Sequence, residues 1–198
     1  MLSPGDISFY LSAFKGLDLK DVYDIYKLSK TRTLAAGDIY IDLGSVHEKL
    51  AYIKKGLIRA YHLQPNGEDI TLLLRWENQF IASHDNIILQ QPSRFVYHAL
   101  EDTVILEFDY SKAQQLLDNN PRLSATRSSF LLTMLADSME RVEGFVLLSP
   151  LERYLQLVKE KPDIINRVPD KYLATLLGIT PVSLSRIRKR IASAKSVN

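Results

Sequence analysis

A short stretch near the C-terminus constrains the fold more than any other part of the sequence. Residues 169–191 read as two helices joined by a tight turn, with Gly178 where the turn requires a positive φ angle. Thr180 followed by Pro181 is a typical helix start, because a hydroxyl caps the helix and proline suits its first position. The small side chain of Ala174 lies where the two helices would cross. The stretch therefore predicts a helix-turn-helix motif that binds DNA.

The second helix of this motif has two different faces when its residues are placed at 100° intervals. Leu184, Ile187 and Ile191 fall on one side, which we expect to face the core of the domain. The opposite side is polar and basic, which suits a helix that enters the major groove, although an ordinary helical hairpin with a solvated basic face is the alternative. Arg186 is the best candidate for a bidentate bond to guanine. The other expected DNA contacts are Thr180, Val182, Ser183 and Ser185, with Arg188, Lys189 and Arg190 at phosphates.

Charge is unevenly distributed along the chain. The formal net charge of the 198 residues is only +2, yet residues 149–198 contain 10 basic and 4 acidic side chains, a net of +6. The other residues hold 15 of the 25 basic and 19 of the 23 acidic side chains, a net of −4. A basic C-terminal part on an acidic body indicates DNA binding at one end and another task at the other.

Cysteine is absent from the sequence. The chain therefore has no disulfide, cysteine-ligated iron–sulfur cluster or thiol redox sensor. No apolar run approaches the ~20 residues of a membrane helix, and the first residues lack the pattern of a secretory signal. We therefore expect a cytoplasmic protein without a membrane partner.

Between about residues 33 and 108 the pattern changes to short β-like runs separated by turn residues. Asn66-Gly67 lies between two of these runs and predicts a hairpin with a primed turn, which needs positive φ angles. Such regularly spaced short strands favour a small antiparallel barrel or jelly roll. The clearest strands are residues 51–53, 57–63, 70–74 and 104–108.

A long helical stretch follows, from Pro121 to about Leu148. Ser149 and Glu152 then form a capping-box pattern that starts a new helix. An apolar seam with alternating spacings of four and three residues runs along the long helix, as in a coiled coil. We expect a dimer helix, and the alternative is a helix packed only on its own barrel. The seam consists of Leu131, Leu135, Ser138, Val142 and Phe145.

A β-roll, a long helix and a helix-turn-helix in this order resemble the Crp/Fnr family of bacterial transcription regulators. The roll resembles the family's cyclic-nucleotide-binding fold through residues 34–40, 52–59 and 66–68. The DNA-binding half resembles it more specifically, through residues 177–180 and 184–188. The resemblance implies a homodimer that binds a palindromic operator in double-stranded DNA and contacts RNA polymerase, with no catalytic residues and no metal.

The fold class implied is α+β. It consists of an antiparallel sensor roll of the double-stranded β-helix type with flanking helices over residues 1–120, a dimerisation helix over 121–148 and a helix-turn-helix domain over 149–198. Family members also carry a β-hairpin wing after the recognition helix. Only seven residues follow Ile191, so we expect this wing to be lost or moved.

The effector pocket departs from the family pattern. Nucleotide-binding members hold the ribose and the cyclic phosphate with a Gly-Glu pair followed by Arg-Ser. Residues 76–86 contain no such pair, and Ser83 and His84 fall about where it would lie. Ser93 and Arg94 supply an arginine in reversed order, so only the guanidinium of a phosphate site is present. These four residues form the candidate pocket, no cofactor is evident, and we do not expect cyclic AMP.

A second interpretation comes from the roll itself. A small cupin-like roll that depends on a metal or binds a ligand could carry a basic helical tail. Its expected His-x-His pair is absent, and the four histidines, at positions 47, 62, 84 and 98, lack the spacing of metal ligands.

Arg186→Ala separates base reading from phosphate binding. We expect the variant to relax base preference and to cost ~1–3 kcal/mol on specific DNA, whereas Lys195→Ala should weaken binding to all sequences about equally. Titrations of both variants with specific and random duplexes measure this difference. Equal losses for both variants on both duplexes would contradict the assignment of Arg186 as a base reader.

Overall fold

The computed structural model describes Leu11 and residues 18–195. Helix α1 (Leu19–Leu28) leads into eight strands, which form two four-stranded antiparallel sheets ordered β1-β8-β3-β6 and β2-β7-β4-β5. The expected antiparallel roll with flanking helices is therefore confirmed. The strands are β1 (Ser29–Leu34), β2 (Ile39–Ile41), β3 (Lys49–Lys55), β4 (Ile58–Leu63), β5 (Asp69–Arg75), β6 (Phe80–Ile81), β7 (Val96–Ala99) and β8 (Thr103–Asp109), with the short helix α2 (His84–Ile87) between β6 and β7.

The two sheets face each other, and their inward side chains form the core of the roll. Strand residues alternate between two faces, so one face of each sheet supplies this core. Helix α1 and helix α3 (Tyr110–Asp118) cover part of the outside through a second apolar cluster that includes Val22, Leu106 and Phe108. The inner core comprises Leu34, Tyr40, Ile41, Ala51, Ile53, Ile58, Ala60, Ile81, Tyr97, Ala99 and Ile105.

The first half of strand β4 is buried on both faces. Ile58 and Ala60 belong to the inner core, while Arg59 between them is only 1% exposed. Successive side chains of a strand point to opposite sides, so Arg59 must be covered from outside the roll. The C-terminal helices provide this cover.

The hairpin between β4 and β5 forms where it was expected, but its turn is of a different type. Gly67 has a positive φ of 83°, whereas Asn66 does not, and the Gly67 amide donates to the Gln64 carbonyl. Pro65 explains the difference, because its fixed negative φ suits the first central position of a type I turn. Gly67 then takes the left-handed position that follows such a turn, so the primed turn expected at Asn66-Gly67 was wrong.

Helices make up most of the described chain after β8. Helix α4 (Pro121–Leu147) has 27 residues and is therefore about 40 Å long. Ser149 and Glu152 form the expected reciprocal capping box at the start of the next helix. The remaining helices are α5 (Pro150–Glu160), α6 (Ile164–Arg167), α7 (Asp170–Leu176) and α8 (Pro181–Lys195).

Gly56→Ala tests how closely the β3–β4 turn approaches β8. Gly56 has a φ of +103°, and an added Cβ would lie 2.6 Å from the Thr103 Cα, so the backbone itself would have to move. We expect a loss of about 3 kcal/mol or more in the free energy of unfolding, measured by urea denaturation. Gly67→Ala is the control, since Gly67 has a positive φ but open space around it, and should cost about 1 kcal/mol. Equal losses would show that steric contact with Thr103 is unimportant.

Candidate nucleic-acid interface and effector pocket

Helices α7 and α8 form the helix-turn-helix, and local bonds define its turn. Gly178 takes a φ of +68° between the two helices, as the sequence predicted. The Thr180 hydroxyl accepts a hydrogen bond from the Ser183 amide at 3.2 Å and lies 3.0 Å from the Ser183 hydroxyl. This bond caps the start of α8, so both Thr180 and Ser183 are engaged at the helix N-terminus.

The two faces of α8 separate as expected. Leu184 is fully buried, and Ile187 and Ile191 pack against the same apolar cluster. The outward face is open to solvent and carries both cations and small polar groups. Its exposed side chains are Val182, Ser185, Arg186, Lys189 and Arg190.

Arg188, which we expected at a DNA phosphate, bonds to another residue of the motif. Its Nη1 donates to Asp170 Oδ1 at 2.7 Å, at the start of α7, and its guanidinium lies 6.0 Å from the centre of the Tyr154 ring. The remaining guanidinium nitrogens, Nε and Nη2, are buried without hydrogen-bond partners in the described chain. The geometry therefore favours Arg188 as a residue that ties α8 to α7 rather than as a phosphate contact.

Arg153 of α5 joins the long helix to the turn of the motif. Its Nη1 donates to the Leu148 carbonyl at 2.6 Å, and its Nε and Nη2 donate to the Leu177 carbonyl at 3.3 and 2.9 Å. The Phe145 ring centre lies 4.9 Å from this guanidinium, and the ring is close enough to Gly178 that an added Cβ there would lie 3.2 Å from it. A cation at the carbonyl ends of two helices is favourable, so Arg153 fixes the angle between α4 and the motif.

An apolar cluster joins the motif to the roll. Leu57 and Leu74 of the roll pack with Leu173, Leu177 and other residues of the C-terminal helices. Next to this cluster, Arg59 donates to Thr71 at 2.8 Å and to Asp69 at 2.5 Å, and its guanidinium lies 3.7 Å from the centre of the Tyr172 ring. Helix α7 is thus the element that covers strand β4.

Ion pairs also join the C-terminal helices to the roll, and we call this contact region the junction. Arg167 of α6 donates two hydrogen bonds to Glu77, at 2.6 and 3.1 Å, and two to Glu101, at 2.6 and 3.2 Å. Lys161 donates to Glu77 at 3.1 Å. Burial raises the pKa of Glu77, but the bonds from Arg167 and its other donors outweigh burial and bring the pKa to about 2. The junction therefore contains a doubly bidentate ion cluster, which is the strong form of such contacts.

Among the residues that the structure describes, the seam on α4 is left open to solvent. Leu131, Leu135, Val142 and Phe145 are 48–59% exposed, and Ser138 is also exposed. The Ser138 hydroxyl donates back to the Met134 carbonyl at 2.8 Å, so its hydrogen-bonding need is met within the helix. Exposed apolar patches of this kind mark interaction surfaces.

The four residues of the candidate effector pocket do come together around α2. The Ser83 and Ser93 hydroxyls are buried 3.4 Å apart, and Arg94 Nη2 lies 3.5 Å from His84 Nε2. At their centre is Asp85, which is fully buried. Asp85 accepts bonds from Arg94 Nε at 3.1 Å, Nη2 at 2.8 Å and the backbone amide at 2.8 Å.

Asp85 therefore holds the guanidinium that would otherwise bind a phosphate. Burial raises the pKa of Asp85, but the bonds from Arg94 outweigh burial and keep the pKa below its usual value. A cyclic phosphate would have to displace a buried carboxylate and leave it without its partner, which is costly. The residues of this pocket do not fit a cyclic nucleotide.

Two other features bear on ligands and location. Within residues 18–195 and at Leu11, no group of three His, Asp or Glu side chains is arranged to hold a metal ion. None of the helices in this described part is long and apolar enough to cross a membrane.

Comparison with solved structures decides the fold. FixK2 from Bradyrhizobium japonicum has a TM-score of 0.72 at 12% identity, with 84% of this chain and 86% of that chain covered. The c-di-GMP-responsive global regulator CLP from Xanthomonas campestris has a TM-score of 0.67 at 16% identity, covering 90% and 93%. A Crp/Fnr-family regulator from Eubacterium rectale has a TM-score of 0.69 at 17% identity, covering 94% and 88%. This chain has the Crp/Fnr fold.

The similarity to Crp/Fnr structures lies in the fold rather than in the sequence. No protein-family profile matches the chain, and no curated protein is significantly similar to it. The Crp/Fnr fold extends over roll, long helix and C-terminal helices together, since each of these three comparisons covers at least 84% of both chains.

Sequence reasoning missed several residues of the site. Asp85 was detectable, because an acidic residue just after the serine cap Ser83 is a helix-start signal close to Arg94. Arg59, Arg153 and Arg167 gave no local signal, because their partners are distant in the chain.

Glu77→Gln should weaken the junction and change its response to acid. The folded pKa of about 2 lies below the ordinary 4.5, so the stabilisation is complete above about pH 5 and is lost as pH falls from about 4.5 to 2. We expect the variant to lose ~1–3 kcal/mol in the free energy of unfolding at neutral pH. The difference from wild type should be largely lost by pH 2, where about half of the Glu77 carboxyl groups are still ionised, and should vanish below it.

Urea denaturation at a series of pH values measures this effect. Glu143→Gln is the control, because it makes the same change at an exposed residue of α4. A constant difference between Glu77→Gln and wild type from pH 7 to 2 would contradict the assignment.

Proposed function

We propose that the protein is a homodimeric transcription regulator of the Crp/Fnr type, which binds a palindromic operator in double-stranded DNA. The observation that carries the proposal is α8: its inner face is packed into the motif, and its outer face presents exposed Arg186, Ser185 and Val182. Arg186 reads guanine, and Lys189 and Arg190 contact phosphates. RNA polymerase is the further partner that this type of regulator implies.

The dimer is formed through α4. The exposed seam is apolar over about four helical turns and repeats with coiled-coil spacing. Pairing two copies through this seam gives a twofold axis and therefore two α8 helices, which a palindromic operator requires. Phe145 links the seam to the motif, because its ring lies beside the Gly178 turn and 4.9 Å from the Arg153 guanidinium.

The effector is not a cyclic nucleotide. The Asp85–Arg94 pair supports this, because a negative charge of the protein itself already occupies the guanidinium. The two neighbouring serines are also engaged, since Ser83 caps α2 and Ser93 donates to the Phe95 carbonyl at 2.7 Å.

Selection of binding sites from random duplex DNA, with and without cyclic AMP, tests the proposal. We expect enrichment of a palindromic motif without nucleotide and no change when nucleotide is added. Enrichment only with cyclic AMP would overturn the assignment of the effector pocket. Binding to all sequences alike would overturn sequence-specific regulation.

Leu135→Glu should abolish the dimer. A charge placed in the middle of a buried apolar seam is desolvated without a partner, so dimer affinity should fall roughly 100-fold or more. Ala136→Glu is the matched control, since Ala136 is exposed but lies on the far side of α4 from the seam. Analytical ultracentrifugation measures the mass of each variant in solution and so distinguishes monomer from dimer. A dimer that survives in Leu135→Glu would contradict pairing through this seam.

A further inference from the structure

A cavity lies where the roll, the long helix and the DNA-binding part meet. Its volume is about 530 Å³, within the usual range for small-molecule sites. It is lined by β5, α4, α5 and α7, and neither Ser83 nor Arg94 contributes to it. It is therefore separate from the pocket around Asp85.

Four basic side chains line this cavity: Arg75, Arg141, Arg153 and Lys159. Arg153 is bound to the Leu148 and Leu177 carbonyls, and Lys159 is exposed. Arg75 and Arg141 are partly buried, and the Arg75 guanidinium has no hydrogen bond or ion pair in the described chain. Arg141 donates one bond, to the Leu72 carbonyl at 2.5 Å, and within the same part of the chain it has no ion pair. Burial lowers the pKa of both guanidinium groups. Donors left unpaired in a partly dry space favour an anionic ligand that bonds to them.

Acidic residues of the cavity act on these arginines without bonding to them. Asp137, Glu140 and Glu160 also line it. Burial lowers the pKa of Arg75, and the negative charges of Asp137 and Glu160 raise it against this effect. Burial raises the pKa of Glu160, so this carboxyl is partly desolvated. Four basic and three acidic side chains leave the cavity one net positive charge. A ligand with one anionic group suits this charge better than a polyanion.

Apolar side chains form much of the remaining wall, together with Gln79 and Gln156. Leu74 and Trp76 come from the roll, while Leu157 and Leu176 come from the DNA-binding part. Apolar walls with a few placed polar groups are typical of sites for small organic molecules. The anionic group of the ligand would thus be attached to an apolar or aromatic body.

We propose that the junction cavity binds a small organic acid, with a single carboxylate or phosphate group held by Arg75 and Arg141 and an apolar body against Leu74 and Trp76. Binding of the acid does not depend on the proposed function. Only its effect on DNA binding rests on that function. A ligand here touches the roll, the dimer helix and the DNA-binding part at once, so its binding would bias the orientation of α8.

Ligand-observed NMR titrations of the full-length protein test the site without DNA. The probes are benzoate and phenyl phosphate, with benzamide as the uncharged match for benzoate. We expect at least one of the two anions to bind wild type, and at least tenfold weaker binding of that anion to Arg75→Gln, which removes a charged hydrogen bond. Arg94→Gln should bind it as wild type does, because Arg94 lies outside the cavity. Benzamide should bind at least tenfold more weakly than benzoate.

Folding of Arg75→Gln can be checked independently. The Arg75 guanidinium makes no hydrogen bond in the described chain, and the variant loses only the longer-range attraction to Asp137 and Glu160. We therefore expect the melting temperature of the variant to stay close to that of wild type. Arg141→Gln is the second variant and should also lose at least tenfold in affinity.

The outcomes distinguish the cavity from the DNA-binding proposal. The preferred probe identifies the anionic group as carboxylate or phosphate. Failure of both anions to bind, equal binding of benzamide, or unchanged binding by Arg75→Gln would overturn the site. If any of these results is obtained while the selection experiment still yields a palindromic operator, only the ligand site is wrong and the proposed DNA-binding function stands.

Discussion

Arg167 lies between two carboxylates of the roll, and the position of the C-terminal helices on the roll depends on it. Glu77 follows β5 and Glu101 precedes β8, so a guanidinium bound to both has its position fixed at one end of the roll. With α6 held there, α7 lies over β4 and β5, where Arg59 stacks on Tyr172 and Leu74 packs with Leu173. The open face of α8 is the side that remains outside this junction.

The structure favours the junction cavity over the pocket around α2 as the site of an effector. The pocket around α2 already contains an anion of the protein, the carboxylate of Asp85. This carboxylate pairs with Arg94, so the Arg94 guanidinium is not free to bind the phosphate of a ligand. In the junction cavity, in contrast, the Arg75 guanidinium has no hydrogen bond in the described chain and only the nearby charges of Asp137 and Glu160 act on it. A ligand there would contact parts on both sides of the junction. If the ligand changes the affinity of the protein for operator DNA by some factor, DNA changes the affinity for the ligand by the same factor.

The sequence was most informative where structure is set by neighbouring residues. The cap at Thr180, the turn at Gly178, the capping box at Ser149 and the periodicity of α8 are local features, and all four are present as predicted. Strands and the hairpin between β4 and β5 were also recognisable, although Pro65 altered the turn.

The remaining parts depend on contacts that no local pattern encodes. Arg167 is 90 residues from Glu77 and 66 from Glu101, so these pairings arise only once the roll and the C-terminal helices have packed. Arg188 was expected at a phosphate because a basic residue on a recognition helix usually faces outward. Its position beside Asp170 follows from the crossing of α7 and α8, which fixes which cations face inward.

The distance between the two α8 helices tests the central claim most directly. Because the chain has no cysteine, Ser185→Cys introduces one exposed labelling site per protomer. Pulsed electron paramagnetic resonance on the doubly labelled protein, without DNA, should give one narrow distance close to the ~34 Å of one turn of B-DNA. Absence of an intermolecular distance, or a broad distribution, would contradict a dimer in which the junction holds both recognition helices in place.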